Sequence, residues 1–350
     1  MSHPEPTPRA ATQRRTYYTN PVYTGYFADP FVWEYQGRYY AVGTGAAEAE
    51  GQVDKIGDAS GVNPTSKLCV FPLLCSEDLL QWHFVGNALL RPDPTLGDNF
   101  WAPEVAYCDG TFYLYYSVGH QDKDHQLRVA TSNKPVGPYR DVGEPLLDLK
   151  SCPFAIDPHP FCDDDGQWYL FYARDFLDAQ EGIRPGTALM LDRLESMTKL
   201  AGQGQPILRA RSDWQRFQAK RSMYGRVFDW HTLEGPCVRK HAGRYYCFYS
   251  GGRWETESYG VDYGVADSVV GPYSDAGNEA GPRVLRSVPS HVLGPGHNSV
   301  IVSQDGQTEY IIYHAWDPNR SKRQMYLDKL VWTLDGPRCD GPTWMKNLGF

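Results

Sequence analysis

The apolar residues of this chain cluster in short, aromatic-rich runs that begin just after a glycine turn. They read QGRYYAVGT (36–44), DGTFYLYYS (109–117), DGQWYLFYA (165–173), AGRYYCFYS (242–250) and DGQTEYIIYH (305–314), with Gly37, Gly110, Gly166, Gly243 and Gly306 at the bends. A shorter apolar run precedes each bend, so each unit predicts a β-hairpin. A further run follows each hairpin: 68–82, 127–139, 187–200, 263–273 and, less regularly, 325–337. Every unit thus supplies three or four strands. Five such repeats predict an all-β chain folded as a five-bladed β-propeller around a central channel. Helical periodicity is nearly absent, its best candidate being 210–221. With no Gly-, Ser- or Pro-rich linker between repeats, the reading is one propeller domain over 17–350, after a flexible polar tail at 1–16. The stretches 46–66 and 175–230 are expected to be insertions rimming one mouth of the channel.

Composition adds exclusions. The net charge of −8, with no long basic run, argues against nucleic-acid or anionic-membrane partners. No apolar run approaches a membrane span, and the start, MSHPEPTPRAATQRR, lacks the apolar stretch of a secretory leader, so a cytoplasmic location is expected. The eight cysteines form no CxxC pair, which disfavours a zinc cluster and favours buried, reduced thiols. Phosphate-binding glycine loops, nucleophile elbows and HExxH helices are absent from the sequence.

Candidate chemistry lies just ahead of each bend, in FADPFVW, WAPEVAY, AIDPHPF, LEGPCVR and GPGHNSV. Asp29 stands eight residues before its glycine; Asp157, Glu234 and His297 stand nine before theirs, as does Trp101, with Glu104 only six before. These positions open the first strand of each hairpin, which in a propeller lines the axis. Acidic groups gathered at one mouth repel one another, an arrangement that capping of strand ends explains poorly. Glycoside hydrolysis needs one carboxylic acid to protonate the leaving oxygen and one carboxylate to activate water or attack carbon, and a third acid can tune the donor. Trp101, Phe31, Trp230 and Trp254 are candidate platforms for sugar faces. His159 either reaches the pocket or packs. His314 reads as a core histidine, Arg174–Asp175 as a surface ion pair, and Tyr224, Asp229 and His231 as further pocket candidates.

In this order and at these intervals, ADPFV, WAPEV, IDPHPF, EGP and GPGHNS resemble glycoside hydrolase family 43, over about Tyr23 to Gly336. The resemblance implies an inverting glycosidase with Asp29 as general base, Asp157 as the residue tuning the acid, and Glu234 as general acid. It implies that His297 faces an axial metal site, often calcium reached through water. It also implies an arginine from the last blade at the substrate, with Arg323 the first choice and Arg320 the fallback. The second blade carries Glu104 where the family more often has aspartate. The expected activity is exo-release of α-L-arabinofuranose from arabinan- or arabinoxylan-derived oligosaccharides, with β-xylosidase as alternative. The rival from another class is a non-catalytic carbohydrate-binding propeller.

Overall fold

The computed structural model describes residues 17–46, 69–345 and 347–348; the tail expected at 1–16 and nearly all of the insertion expected at 46–66 lie outside these. The described residues contain strands and single 3-10 turns but no α-helix. Five antiparallel blades follow in chain order as a β-propeller. Blade one is Ala28–Tyr35, Arg38–Thr44, Cys69–Ser76 and His83–Leu90. Blade two is Asn99–Cys108, Thr111–His120, Lys123–Ser132 and Arg140–Asp141. Blade three is Ala155–Cys162, Trp168–Phe176, Gly186–Ser196 and Gln205–Leu208. Blade four is Arg226–His241, Arg244–Gly251 and Gly260–Ala266, with Ser274 bridged to Val265 at its edge. Blade five is Leu293–Val302, Glu309–Trp316, Arg323–Thr333 and Gly336–Cys339. The first strands of neighbouring blades touch all the way round, forming the inner wall of the ring.

The continuous aromatic runs now have a cause. Successive side chains of a strand face opposite sides, and a blade packed between two others buries both. Tyr115 enters the seam between blades two and three, while Tyr116 enters the seam between blades one and two. Phe248 and Tyr249 divide in the same way between the seams on either side of blade four. One apolar cluster fills each of the five seams.

Closure of the ring depends on the N-terminal segment. Tyr17–Tyr18 pairs with Asn347–Leu348, and Val22 and Tyr23 bond to Met325 of blade five. Asn20 clamps the same strand from both sides: its Nδ2 donates to the Leu327 carbonyl and its Oδ1 accepts the Leu327 N–H, both at 2.9 Å.

The 175–230 expectation needs correction. Much of that stretch is ordinary blade three. The 210–221 helix does not form either. A single 3-10 turn, Asp213–Gln215, is followed by the strand Arg216–Met223. That strand folds back onto Arg226–His241 through Tyr224 and Gly225, both at positive φ (49° and 69°), as a two-residue hairpin turn requires. The segment has no apolar stripe to bury as a helix, and cross-strand pairing satisfies its backbone instead.

Replacing Asn20 by alanine leaves two buried backbone groups of Leu327 unpaired. The Asn20→Ala variant should lose about 2 kcal/mol of stability in urea unfolding, since each such loss costs roughly 1–3 kcal/mol; an unchanged midpoint would show that the clamp contributes nothing.

Candidate active site

Each inner strand breaks its ladder at one shared height, and blade five has a second break between Leu293 and Gly296. The pairing skips between Ala28 and Phe31, Trp101 and Glu104, Ile156 and His159, Glu234 and Cys237, and Gly296 and Ser299. The first residue inside each bulge is left-handed: Asp29 (φ 50°), Ala102 (45°), Asp157 (58°), Gly235 (57°) and His297 (49°). A left-handed L-residue costs roughly 1–2 kcal/mol, which Asp and His bear better than most side chains. A bulge re-aims its side chain. The second residue is proline in four blades, so no N–H is left unpaired there. Asn298 holds that place in blade five, buried and without partners for either side-chain polar atom.

This register corrects the count back from the glycine bends. Asp29, Asp157 and His297 are true equivalents, whereas Glu234 stands one residue earlier, at the level of Trp101 and Ile156. Glu104 stands two residues later than the bulge position Ala102, at the level of His159 in the next blade. There the two pair: His159 Nδ1 lies 2.7 Å from Glu104 Oε2, and His159 Nε2 accepts the Val238 N–H at 2.9 Å. The second bond leaves the proton on Nδ1, which donates to Glu104. Both are buried, to the same degree as Asp157 and His297, and the pair ties the inner strands of blades two and three together.

Asp29, Asp157 and Glu234 are joined by a closed circuit of contacts. Asp29 Oδ1 lies 3.4 Å from His297 Nδ1, which is 3.9 Å from Asp157 Oδ2. Asp157 Oδ2 accepts the N–H of Gly235, the neighbour of Glu234, at 2.8 Å. Glu234 Oε1 accepts from Tyr259 Oη at 2.6 Å, and the Tyr259 ring stacks on His314 with centroids 5.8 Å apart. His314 Nδ1 accepts the Asp29 N–H at 3.1 Å, which closes the circuit. Gly235 takes its positive φ without strain, and a Cβ there would crowd the His297 ring at 3.1 Å.

Arg323 supplies the fixed positive charge. Its Nη1 reaches Asp29 Oδ1 at 3.4 Å and its Nη2 donates to Tyr26 Oη at 2.9 Å. The guanidinium lies 4.5 Å from the centre of the Trp254 ring. Arg320, the fallback, instead pairs with Glu257 at the surface.

The carboxyl groups are driven apart electrostatically. Burial would raise Asp29, but His297, Arg323 and His314 outweigh it and hold this carboxyl well below the usual range. Burial lowers both imidazoles, His314 to about 4, so near neutrality Arg323 is the charge that faces Asp29. Glu234 is pushed up to about 7, chiefly by burial and also by the Asp29 charge, against the pull of the Tyr259 bond and Arg323. Asp157 is raised well above its ordinary value by burial and by the charges of Glu234 and Asp29. One carboxylate held ionised therefore shares a buried cluster with two carboxyl groups that are raised, Glu234 to about 7. That division is the signature of acid–base work.

The other expected site residues separate. Trp101 is half-buried and stacks on His125 at 3.7 Å. Phe31 stacks on Trp33 at the edge of the first seam's core and stays partly exposed. Trp230 is buried in the blade-four hairpin, against Phe228 and Tyr224. Asp229 accepts the Lys220 N–H, and His231 is buried beside Asp213. Asp175 is no surface ion pair: it accepts from Thr187 and Tyr224, and burial pushes it up to about 6. His314 is buried as expected but not satisfied, since its Nε2 has no partner. Tyr26 and Tyr259 carried no signal in the sequence beyond being aromatic. Among the described residues no group of three or more His, Cys, Asp or Glu side chains is arranged to hold a metal ion. Calcium takes roughly six to eight oxygens, so an axial calcium near His297 would draw most of its ligands from water.

Removing the Tyr259 hydroxyl deletes a bond that lowers Glu234. In Tyr259→Phe the Glu234 pKa should rise by roughly 0.7 unit, the equivalent of about 1 kcal/mol, as followed by NMR titration of carboxyl-labelled protein; a fall would contradict the circuit.

Comparisons with known proteins agree in one direction. The sequence model described as glycosyl hydrolases family 43 matches residues 18–337. A β-D-galactofuranosidase from Aspergillus niger is 29% identical over 96% of this chain and 88% of its own length. An extracellular exo-α-(1→5)-L-arabinofuranosidase from Cellvibrio japonicus is 27% identical over 77% of this chain and 78% of its own. Among solved structures, a thermostable family-43 glycoside hydrolase superposes with a TM-score of 0.77 at 28% identity, covering 95% of this chain and 98% of the other.

Proposed function

The chain belongs to glycosyl hydrolases family 43, and from that premise we propose that it releases terminal α-L-arabinofuranose from short arabinan- or arabinoxylan-derived oligosaccharides. It is a glycoside hydrolase, and the family inverts the anomeric centre. The observation that carries the assignment of roles is the opposed state of two carboxyl groups in one buried cluster: Asp29 held ionised, Glu234 held as an acid to about pH 7.

In this reading Asp29 accepts a proton from a water molecule as its oxygen bonds to the anomeric carbon. Glu234 passes its proton to the departing glycosidic oxygen on the opposite face, and the C–O bond breaks with both electrons leaving on that oxygen. Inversion requires room for the water, with the two groups roughly 6.5–9.5 Å apart. Asp157, itself raised by the charges of Glu234 and Asp29, fixes the Gly235 peptide that adjoins Glu234. Arg323 steadies the Asp29 anion, and with Trp254 it forms the wall against which the sugar rests.

The Aspergillus niger relative favours a second reading, terminal β-D-galactofuranose. Its ring has the same configuration as α-L-arabinofuranose at C2, C3 and C4 and differs in carrying a longer exocyclic arm. A β-xylosidase is the further alternative within the same chemistry, and a silent sugar-binding propeller is disfavoured by the tuned carboxyl groups. All eight cysteines are free thiols, which supports the intracellular location we propose; recovery of the protein from culture medium would overturn that location.

Rates on nitrophenyl α-L-arabinofuranoside, β-D-galactofuranoside and β-D-xyloside should rank in that order; release from none of them would favour the binding propeller. Glu234→Gln should lose roughly 10²–10⁴-fold on an unactivated arabino-oligosaccharide, and much less on the nitrophenyl substrate, whose leaving group needs little protonation. Because Glu234 must be protonated, kcat/KM of the wild type should fall as pH rises through about 7; a rate still climbing at pH 8 would exclude Glu234 as the acid.

A further inference from the structure

A second cleft opens beside the carboxylates, at the start of blade three. It encloses about 310 Å³ and is lined by Phe154, Arg174, Asp175, Phe176, Leu177 and Tyr224, among others. Phe154 lies three residues before Asp157, and Arg174 pairs with Ala155 across the first two strands. The cleft therefore adjoins Asp157 at the same end of the ring. An aromatic wall runs from it towards the axis: Phe154 meets the His125 ring edge-on at 5.6 Å, and His125 stacks on Trp101. Trp101 is the blade-two equivalent of Glu234.

The blade-four hairpin, residues 216–231, reaches this space with Tyr224. Tyr224 at its tip donates to Asp175 Oδ2 at 2.7 Å, and Arg221 reaches Asp122 of blade two at 2.9 Å. The hairpin thus spans blade three and is tied down at both contacts. In the cleft wall, Arg174 lies over the Phe176 ring with a buried Nε that has no hydrogen-bond partner.

We propose that this cleft holds the sugar unit next to the one released, a neutral furanose or pyranose residue of a short oligosaccharide. The proposal rests on the glycosidase reading above and adds where the retained part of the substrate sits. Size favours one unit over a chain, because small-ligand clefts run from roughly 300 to 1,000 Å³ and this one is at the bottom of that range. Chemistry favours a sugar: aromatic faces accept the C–H face of a ring, while the unpartnered Arg174 donor gains a hydroxyl acceptor. A buried donor left without one costs roughly 1–3 kcal/mol, which binding recovers. Charge favours a neutral ligand, because Arg174 and Asp175 bring one group of each sign.

The test compares α-1,5-linked arabinotriose, which has a second sugar, with nitrophenyl α-L-arabinofuranoside, which has none. Tyr224→Ala and Phe154→Ala should each lose at least tenfold more kcat/KM on the trisaccharide than on the aryl glycoside, with the difference in KM. Tyr224 is 44% exposed, so its truncation leaves the fold intact if Phe154→Ala does not. Equal losses on both substrates, or none on either, would overturn the cleft while leaving the activity standing. A wild type that cleaves neither substrate would instead remove the arabinofuranosidase reading, and the cleft proposal with it.

Discussion

Five inner strands each give up one stretch of ladder pairing at the same level, and the site depends on that shared defect. A regular strand would direct these side chains into the seams between blades. A left-handed residue at the break turns them towards the axis instead. The cost is local strain, and neighbours offset it: the N–H groups of Asp29, Ala102 and His297 are taken by His314, Thr44 and Ser250 from the second strand of the preceding blade. These three residues face the residue just before the bulge in their own blades, so the support repeats as the bulge does. His314 is the version of this brace that can also carry a proton.

Packing and chemistry are consequently coupled. The seams are filled from both sides, so a blade cannot shift without disturbing two cores. That rigidity holds three carboxyl groups together despite their mutual repulsion. Arg323 offsets part of it, and the rest shows as the raised pKa values of Glu234 and Asp157. The same repulsion that makes the cluster expensive also makes it useful, because it keeps the acid protonated at the pH where the base is not.

The blade-four hairpin shows a different use of the scaffold. It belongs to no repeat, and it is held by polar contacts to blades two and three through Asp122 and Asp175. An extra element anchored in this way can shape the mouth without altering the ring beneath. The catalytic circuit and the wall beside it are therefore separable, and the second can change while the first stays fixed.

From the chain alone, the five glycine bends and their aromatic runs determined the blade count, because a strand buried on both faces must be apolar along its whole length. The D-P and E-G-P motifs pointed to Asp29, Asp157 and Glu234, since carboxylates at equivalent repeat positions must converge. The true register was hidden: counted from the bends, Glu234 matches Asp157 and His297, yet the bulges place it one residue earlier, at the level of Trp101, while Glu104 falls two residues past the bulge position and meets a buried histidine. Tyr259 and His314 were equally hidden, because a tyrosine in a loop and a histidine in an aromatic strand look like packing until another blade brings a carboxylate against them. Trp230 failed in the opposite direction, as nearness in the chain to Glu234 says nothing about which side of a hairpin its ring covers. Local pattern fixes periodicity and burial; contacts between residues hundreds of positions apart exist only once the ring has closed.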